Sequence, residues 1–111
     1  MQVQKETKKD CYGLRIAATE EGREIGRIWL YIIYNDLHKE PYGLLEDIFV
    51  SESQRGKGIG TTLVKEAIAE ANRIGCYKLV ATTRSSRGVV CSWYESLGFK
   101  NYGAEFRMDL I

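Results

Sequence analysis

Apolar and polar residues alternate along two stretches near the start of the chain, a pattern typical of half-buried β-strands. The first stretch is CYGLRIAATE at 11–20, and the second is REIGRIWLYIIYN at 23–35. One face of the first stretch carries Tyr12, Leu14, Ile16 and Ala18. The residues EEG at 20–22 lie between the two and favour a turn. The two stretches therefore predict a β-hairpin.

The middle of the chain predicts a strand, a helix and another strand. The run LLEDIFV at 44–50 is short, apolar and rich in β-forming residues, which favours a central strand. After a glycine-rich turn, apolar residues return at helical spacing, and Gly75 marks the end of that helix. These positions are Ile59, Leu63, Ala67, Ala71 and Ile74. The run CYKLVATT at 76–83 predicts the next strand, and the helical crossover predicts that 44–50 and 77–83 are parallel or nearly so.

The last part of the chain predicts a second helix, VVCSWYESLG at 89–98, and a closing hairpin, FKNYGAEFRMDLI at 99–111. The order of elements predicts an α/β fold. We expect a mixed, largely antiparallel sheet with a central strand–helix–strand unit and helices packed on it. We expect a single domain over residues 1–111, with 1–10 as a frayed lead-in.

Composition and charge exclude several classes of protein. Of the 111 residues, 44% are hydrophobic and 28% are charged, and the net charge is +1. This balance gives no overall field that would attract nucleic acid or an anionic membrane, and no apolar run is long enough to span a membrane. The polar N-terminus lacks the apolar core of a signal peptide. We therefore expect a cytoplasmic protein that binds neither nucleic acid nor membranes.

The cysteines and the histidine argue against a metal site. Cys11, Cys76 and Cys91 show no CxxC spacing, so we expect free thiols in a reducing compartment. With His38 as the single histidine, the sequence predicts no zinc site. We interpret His38 as a solvated loop side chain and Cys91 as a small buried thiol.

The turn between the central strand and the first helix is where the sequence points to chemistry. Its residues QRGKGIG, at 54–60, place a glycine at every second position and two cations beside them. The residues concerned are Arg55, Gly56, Lys57, Gly58 and Gly60. A helix start has unpaired backbone N–H groups and partial positive charge, and glycines let an anion approach them. The turn therefore predicts a phosphate or pyrophosphate site. The alternative is a turn whose glycines serve only its tight geometry, with two solvated cations.

The spacing of this turn excludes two familiar phosphate-binding motifs. A Walker loop needs Ser or Thr after Gly-Lys, but Lys57 is followed by Gly58. A dinucleotide fingerprint needs a glycine where Thr61 stands.

Two motifs together resemble those of the GNAT superfamily, the acetyl-CoA-dependent N-acetyltransferases. RGKGIG at 55–60 fits the signature R/Q-x-x-G-x-G/A, and WYESLGF at 93–99 is similar to the family's late motif. The resemblance covers residues 12 to 110 or so. It implies a splayed mixed sheet with acetyl-CoA wedged between two strands. It also implies acetyl transfer to a primary amine by direct attack in a ternary complex, with coenzyme A as product.

The resemblance implies roles for individual residues. Backbone groups of Ile48, Phe49 and Val50 would bind the pantetheine arm as if it were an added strand. Backbone N–H groups would hold the pyrophosphate along Arg55, Gly56, Lys57, Gly58, Ile59, Gly60 and Thr61. The hydroxyl of Tyr94 would protonate the leaving thiolate. The alternative for Tyr94 is a core aromatic in an apolar helical stripe.

Glu46 is the natural base, because it lies on the cofactor strand and family members often hold a carboxylate there. Regular alternation would place Glu46 on one face with Ile48 and Val50. Leu44 would share that face, and Asp47 would point the other way. The alternative for Glu46 is a solvated edge position or an ion-pair partner.

The sequence departs from the family's pattern where the acceptor would bind. Its N-terminal part is short, so we expect the pocket to be open, to use the 35–43 loop or to be completed by a second subunit. An aromatic-rich second strand, with Trp29 and Tyr31, adds apolar surface, and we predict a homodimer. Arg87 stands where family members often have an asparagine. Arg84 and Arg87 would either reach a phosphate or be solvated on the surface.

Three functions stay open at this point. The leading one is an N-acetyltransferase that acts on the amine of a small molecule or a peptide. The second is a non-catalytic module that binds or senses acyl-CoA. The third is a partner protein that keeps the fold for association through a sheet edge or a helix face. Acetyl-CoA binding separates the third from the others, and amine-dependent thiol release separates the first from the second.

Overall fold

The structure is a computed structural model that describes residues 1–83 and 88–111. Its elements in chain order are β1 (Tyr12–Glu20), β2 (Arg23–Ile33), β3 (Tyr42–Val50), α1 (Ile59–Ile74), β4 (Leu79–Ala81) and α2 (Gly88–Ser96). The chain divides into two compact units, Met1–Val80 and Ala81–Ile111. The single domain expected from the sequence stays a prediction.

The first two strands form the predicted hairpin. β1 and β2 are antiparallel, and their paired residues run from Tyr12 opposite Ile32 to Glu20 opposite Arg23. The two turn residues, Glu21 and Gly22, have φ angles of 51° and 76°. Two successive positive φ angles are typical of the tight turns whose twist matches that of the flanking strands.

The sheet has the strand order β1-β2-β3-β4. β2 and β3 are antiparallel. At the other side of β3, the N–H of Tyr77 donates to the carbonyl of Pro41, and the N–H of Gly43 donates to that of Lys78, both at 2.9 Å. From the first bond to the second, the residue number rises on both segments, from 41 to 43 and from 77 to 78. The two segments are therefore parallel. The mixed, largely antiparallel sheet is therefore confirmed, as is the crossover through α1.

One face of the sheet packs against α1 and forms the core of the first unit. The buried apolar residues are Ile28, Leu30, Ile32, Leu45, Leu63, Val64, Ala67 and Ala71. The helix comes close at Gly26, where an added Cβ would lie 3.1 Å from side-chain atoms of both Ile59 and Leu63. From Gly26 to Ile33, even-numbered residues of β2 therefore face α1, and odd-numbered residues, with Arg27, Trp29 and Tyr31 among them, face away. The helix ends where Gly75, at φ 91°, donates its N–H to the carbonyl of Ala71, as the sequence predicts.

The prediction of a closing hairpin is wrong. The structure describes every residue of 99–111, and none of them is in a strand. From residue 100 onwards every residue is exposed, and this includes Phe106 and Met108. An isolated two-stranded hairpin is at best marginally stable in water without an apolar surface to pack on, and residues 100–111 bury no apolar side chain. β4 is also shorter than predicted, Leu79–Ala81 rather than 77–83.

The sequence also makes predictions about the cysteines, two arginines and the lengths of the helices. Cys11, Cys76 and Cys91 are free thiols, as expected, and partial burial raises the pKa of the Cys76 thiol. Arg84 and Arg87 lie outside the described residues. No helix within the described ranges is long and apolar enough to cross a membrane.

Candidate active site

The glycine turn leads from the end of β3 into α1. Gly56 and Gly58 have φ angles of 81° and 80°, a region that residues with a side chain rarely adopt. A Cβ added at either position would meet no other atom within 4 Å. Backbone conformation therefore explains these two glycines, and the space around their Cα atoms is open.

The start of α1 exposes backbone donors at this turn. The first intrahelical bond runs from the N–H of Thr62 to the carbonyl of Gly58, at 3.0 Å. Because Ile59 and Gly60 precede Thr62, their N–H groups have no acceptor one turn back along the helix. Gly58 is the N-cap and contributes no side-chain cap. The positive end of the helix dipole therefore faces an opening fit for an anion.

The two cations of the turn both bond within the chain. Arg55 donates its N–H to the carbonyl of Glu52 at 3.3 Å and its Nε to the carbonyl of Val50 at 3.1 Å. The ammonium of Lys57 donates to the side chain of Gln54 at 3.3 Å. The backbone donor of Arg55 is thus already used inside the turn, whereas within residues 1–83 and 88–111 the N–H groups of Ile59 and Gly60 have no hydrogen-bond acceptor. A direct contact of Arg55 with pyrophosphate stays a prediction.

A β-bulge interrupts β3 close to this turn. Trp29 pairs with Glu46, but Arg27 pairs with Phe49, so Ile28 alone faces two residues of β3. Asp47 lies in the bulge with a φ of 53°. This conformation costs about 1 kcal/mol for a residue with a side chain, and Asp is among those that tolerate it best.

Because of the bulge, Glu46 does not lie on the same side of the sheet as the residues predicted to share its face. Glu46 pairs with Trp29, on the face away from α1, whereas Val50 pairs with Gly26, on the α1 face. The prediction that Glu46 shares a face with Ile48 and Val50 is therefore wrong. The extra residue reverses the alternation after position 47.

Asp47 does not point away from the Glu46 face as predicted. Its carboxylate accepts from Nε of Arg27 at 3.3 Å and from Nη2 at 3.2 Å, and Arg27 lies on the face away from α1. The Arg27 guanidinium carbon also lies 4.9 Å from the centroid of the Phe49 ring. A second guanidinium, that of Arg55, lies 5.9 Å from the same centroid. Phe49 thus links the bulge to the glycine turn.

The Glu46 carboxylate lies on the sheet face that also carries two paired arginines. Arg15 donates to both oxygens of Glu24, at 2.6 and 2.7 Å, and this hydrogen bonding lowers the pKa of Glu24. Arg27 is paired with Asp47. Within residues 1–83 and 88–111, Glu46 forms no ion pair or hydrogen bond through its side chain, and it is exposed. This face therefore offers an open carboxylate, which suits a cationic ligand.

Tyr94 belongs to the second unit. It lies in α2, half-buried, with its ring centroid 4.9 Å from that of Trp93 and 5.4 Å from that of Phe99. Its carbonyl accepts the N–H of Leu97 and that of Phe99, at 3.0 and 3.1 Å, which closes the end of the helix. The ring is therefore fixed by local contacts. Both interpretations of Tyr94, a core aromatic and an acid, are compatible with this packing.

Comparison with known proteins identifies the family. The sequence matches the model of the acetyltransferase (GNAT) family over residues 2–99. The chain belongs to the GNAT family. Members of this family use acetyl-CoA as co-substrate.

Two curated GNAT relatives carry a substrate in their names. A glucosamine 6-phosphate N-acetyltransferase of Trypanosoma brucei brucei is 32% identical over 68 residues, 61% of this chain and 44% of that protein. A probable glucosamine 6-phosphate N-acetyltransferase of Drosophila melanogaster is 31% identical over 91 residues, 81% of this chain and 40% of that protein. The chain thus spans less than half the length of either relative.

Solved structures of GNAT proteins share the fold. A putative acetyltransferase from Agrobacterium tumefaciens str. C58 superposes with a TM-score of 0.78 at 33% identity, over 84% of this chain and 65% of that one. The glucosamine-6-phosphate N-acetyltransferase from Arabidopsis thaliana gives a TM-score of 0.79 at 22% identity, over 89% of this chain and 67% of that one. The second match supports the fold alone.

The residues of this GNAT chain fit the co-substrate at the glycine turn. A pyrophosphate needs several hydrogen-bond donors that it can reach without a side chain in the way. The open Cα positions of Gly56 and Gly58 precede the N–H groups of Ile59 and Gly60, which have no acceptor within the helix. Among the described residues, no group of three side chains could hold a metal ion.

Sequence reasoning missed two side-chain arrangements in this GNAT chain. One is the ion pair of Arg27 and Asp47, which depends on the β-bulge. No local sequence motif marks that bulge, so the pair could not be predicted. The other involves His38, whose ring lies 3.9 Å from that of Tyr77, while Asn35 donates to the Tyr77 hydroxyl at 3.2 Å. His38 is therefore exposed but not merely solvated. Residues 39 positions apart meet here, which only tertiary structure could reveal.

Proposed function

We propose that this GNAT-family chain transfers the acetyl group of acetyl-CoA to a primary amine. The observation that carries the proposal is the glycine turn. Open Cα positions at Gly56 and Gly58 lead into a helix start whose first N–H groups lack acceptors within the helix. Family membership supports the pyrophosphate of acetyl-CoA as the anion.

The co-substrate binds along the end of β3 and the turn that follows. Backbone groups of Ile48, Phe49 and Val50 hold the pantetheine arm, and the pyrophosphate lies against the N–H groups at the start of α1. The residues that we assign to the pyrophosphate are Gly56, Lys57, Gly58, Ile59, Gly60 and Thr61, with Arg55 nearby through its charge. The charge of the turn and the helix dipole both favour this placement.

The reaction is a direct attack in a ternary complex. The amine nitrogen forms a bond to the thioester carbonyl carbon, and the bond from that carbon to sulfur breaks. Glu46 takes the proton that the amine loses, and Tyr94 gives a proton to the departing sulfur, which leaves as the thiol of coenzyme A. A backbone N–H near Ile48 or Phe49 stabilises the oxyanion. The role of Tyr94 rests on the sequence motif.

Glucosamine 6-phosphate is the first acceptor to test, because two relatives are named for it. The open carboxylate of Glu46 supports recognition of its ammonium group. Two arginines on the Glu46 face already pair with carboxylates, Arg15 with Glu24 and Arg27 with Asp47. A phosphate on the acceptor would therefore have to compete with those pairs. Glucosamine without the phosphate is the matched comparison.

The test measures acetyl-CoA binding by calorimetry and thiol release in the presence of a panel of amines. The proposal expects binding, and thiol release that depends on the amine. Binding without release under any amine would leave the sensing module as the function. A folded chain that does not bind acetyl-CoA would refute both and leave the partner-protein alternative.

A further inference from the structure

We infer that Arg27 is a positioning residue for acetyl transfer, because its guanidinium holds the β3 bulge in place; the inference rests on the proposed function. The bulge sets the backbone of Ile48, the residue between Asp47 and Phe49. Ile48 belongs to the stretch to which we assign the pantetheine arm of acetyl-CoA. Its geometry therefore bears directly on the reaction.

The bulge needs a stabilising contact because its backbone is unfavourable. Asp47 has a φ of 53°, in the left-handed region, and it carries a side chain there. Two residues of β3, Asp47 and Ile48, stand opposite the single residue Ile28, so the ladder hydrogen bonding is disrupted at this point. The left-handed backbone and the disrupted hydrogen bonding each raise the free energy of the folded chain. A contact from outside β3 must hold the segment in this conformation.

Arg27 supplies that contact on both sides of Ile48. Before Ile48, its guanidinium makes three contacts with the Asp47 carboxylate, between 3.2 and 3.4 Å. After Ile48, the same guanidinium lies over the Phe49 ring at 4.9 Å. The Arg27 side chain is 28% exposed, against 57% for Asp47, so the arginine is the more enclosed partner. The Arg27 side chain thus contacts both residues that flank Ile48.

Arg55 extends this arrangement to the glycine turn. Its guanidinium carbon lies 5.9 Å from the Phe49 ring centroid, and its Nε bonds the carbonyl of Val50 at 3.1 Å. The Phe49 ring therefore connects the stretch that we assign to the pantetheine arm with the turn that we assign to the pyrophosphate, because Arg55 of that turn lies against it. Loss of Arg27 should loosen the Ile48 segment, and Arg55 should still hold the end of β3 that follows it.

The experiment compares Arg27→Met with the double variant Arg27→Met/Asp47→Gly. Glycine adopts a φ of 53° without strain, so Asp47→Gly should preserve the bulge when the ion pair is gone. We expect Arg27→Met to raise amide hydrogen exchange about tenfold across 46–50 in the ligand-free chain. We expect kcat to fall by about tenfold or more, since small misplacements are costly in catalysis. The double variant should recover most of both losses, and Asp47→Gly alone should stay near wild type.

Arg15→Met is the matched control. Arg15 is on the same sheet face and makes a shorter ion pair, with Glu24 at 2.6 Å, but it forms no hydrogen bond with Asp47 and does not lie over the Phe49 ring. The charge of Asp47 acts on Arg15 only through space and ranks behind the effects of Glu24, so Arg15→Met should alter neither exchange across 46–50 nor kcat. An equal effect from Arg15→Met would show a general stability loss and overturn the inference.

Two further results would also overturn the inference. One is unchanged exchange and kcat in Arg27→Met. The other is loss of activity in Asp47→Gly with normal exchange, since Asp47 would then serve the reaction itself. If the wild-type chain transfers no acetyl group, the proposed function fails. The exchange measurements then still decide whether Arg27 holds the bulge.

Discussion

Replacing Gly58 by alanine separates the two effects of a glycine at this turn, backbone strain and obstruction of the anion. Gly58 has a φ of 80° and a ψ of 11°, and an added Cβ would meet nothing within 4 Å. The methyl group therefore causes no clash in the free protein. What remains is the cost of a side chain in the left-handed region, about 1–2 kcal/mol of unfolding free energy. Each kcal/mol should lower the Tm by roughly 4–8 °C in a chain of this size.

The second effect appears only with acetyl-CoA. A methyl group at Gly58 would stand beside the N–H groups at the start of α1, where we place the pyrophosphate. Gly58→Val, with its branched side chain, should weaken acetyl-CoA binding by tenfold or more, equivalent to at least ~1.4 kcal/mol. Gly58→Ala should show a smaller loss in the same direction. Calorimetry well below the Tm of each variant measures the affinity on folded protein.

Gly75→Ala is the matched control for strain. Gly75 has a φ of 91°, an added Cβ there also meets nothing within 4 Å, and it lies at the other end of α1, about 24 Å away for a helix of 16 residues. It should lower the Tm about as much as Gly58→Ala and leave acetyl-CoA affinity unchanged. A folded Gly58→Val variant with unchanged affinity would refute the assignment of the pyrophosphate to this turn.

Four further predictions concern the reaction, pH and assembly. Tyr94→Phe keeps the ring contacts with its neighbours and should lower kcat by about 10²-fold with little change in acetyl-CoA affinity; full activity would remove Tyr94 from the mechanism. Glu46→Gln should slow the reaction by an amount that shrinks at high pH, where the amine deprotonates unaided, and a loss independent of pH would contradict its role as base. Because Arg15 lowers the pKa of Glu24, the pair stabilises the fold above the ordinary pKa of a glutamate, about 4.3, and this stabilisation is lost as pH falls through the lowered pKa. Glu24→Gln should remove that part of the pH dependence, measured by urea unfolding, and an unchanged profile would contradict it. Light scattering at high concentration should show a homodimer, and a monomer would count against that prediction.

Local signals in the sequence were sufficient for most of the fold. The alternation in β1, the apolar spacing in α1 and the stop at Gly75 each depend on residues close together in the chain. Such patterns follow from the periods of strand and helix, so they can be read without knowing what packs against them. The same applies to the glycine turn, because positive φ angles at Gly56 and Gly58 reflect a local backbone requirement.

The closing hairpin shows where local signals fail. The residues at 99–111 include apolar side chains such as Phe106, but those side chains are exposed. Sequence pattern predicts which residues could form a strand, and it does not supply the surface on which a strand is stabilised. That surface is a property of the folded chain.

By itself, the sequence determined the order of the strands and helices as far as α2, the turn at 54–60 and the motifs that place the chain in the GNAT family. Only the tertiary structure decided which way Glu46 faces. A strand pattern assumes strict alternation, and the bulge at Asp47 breaks it through pairing with β2, twenty residues away in sequence. The contact of Arg27 with Asp47 and Phe49 has the same origin. Pairing register and cross-strand contacts depend on residues distant in the chain, and a local pattern carries no information about them.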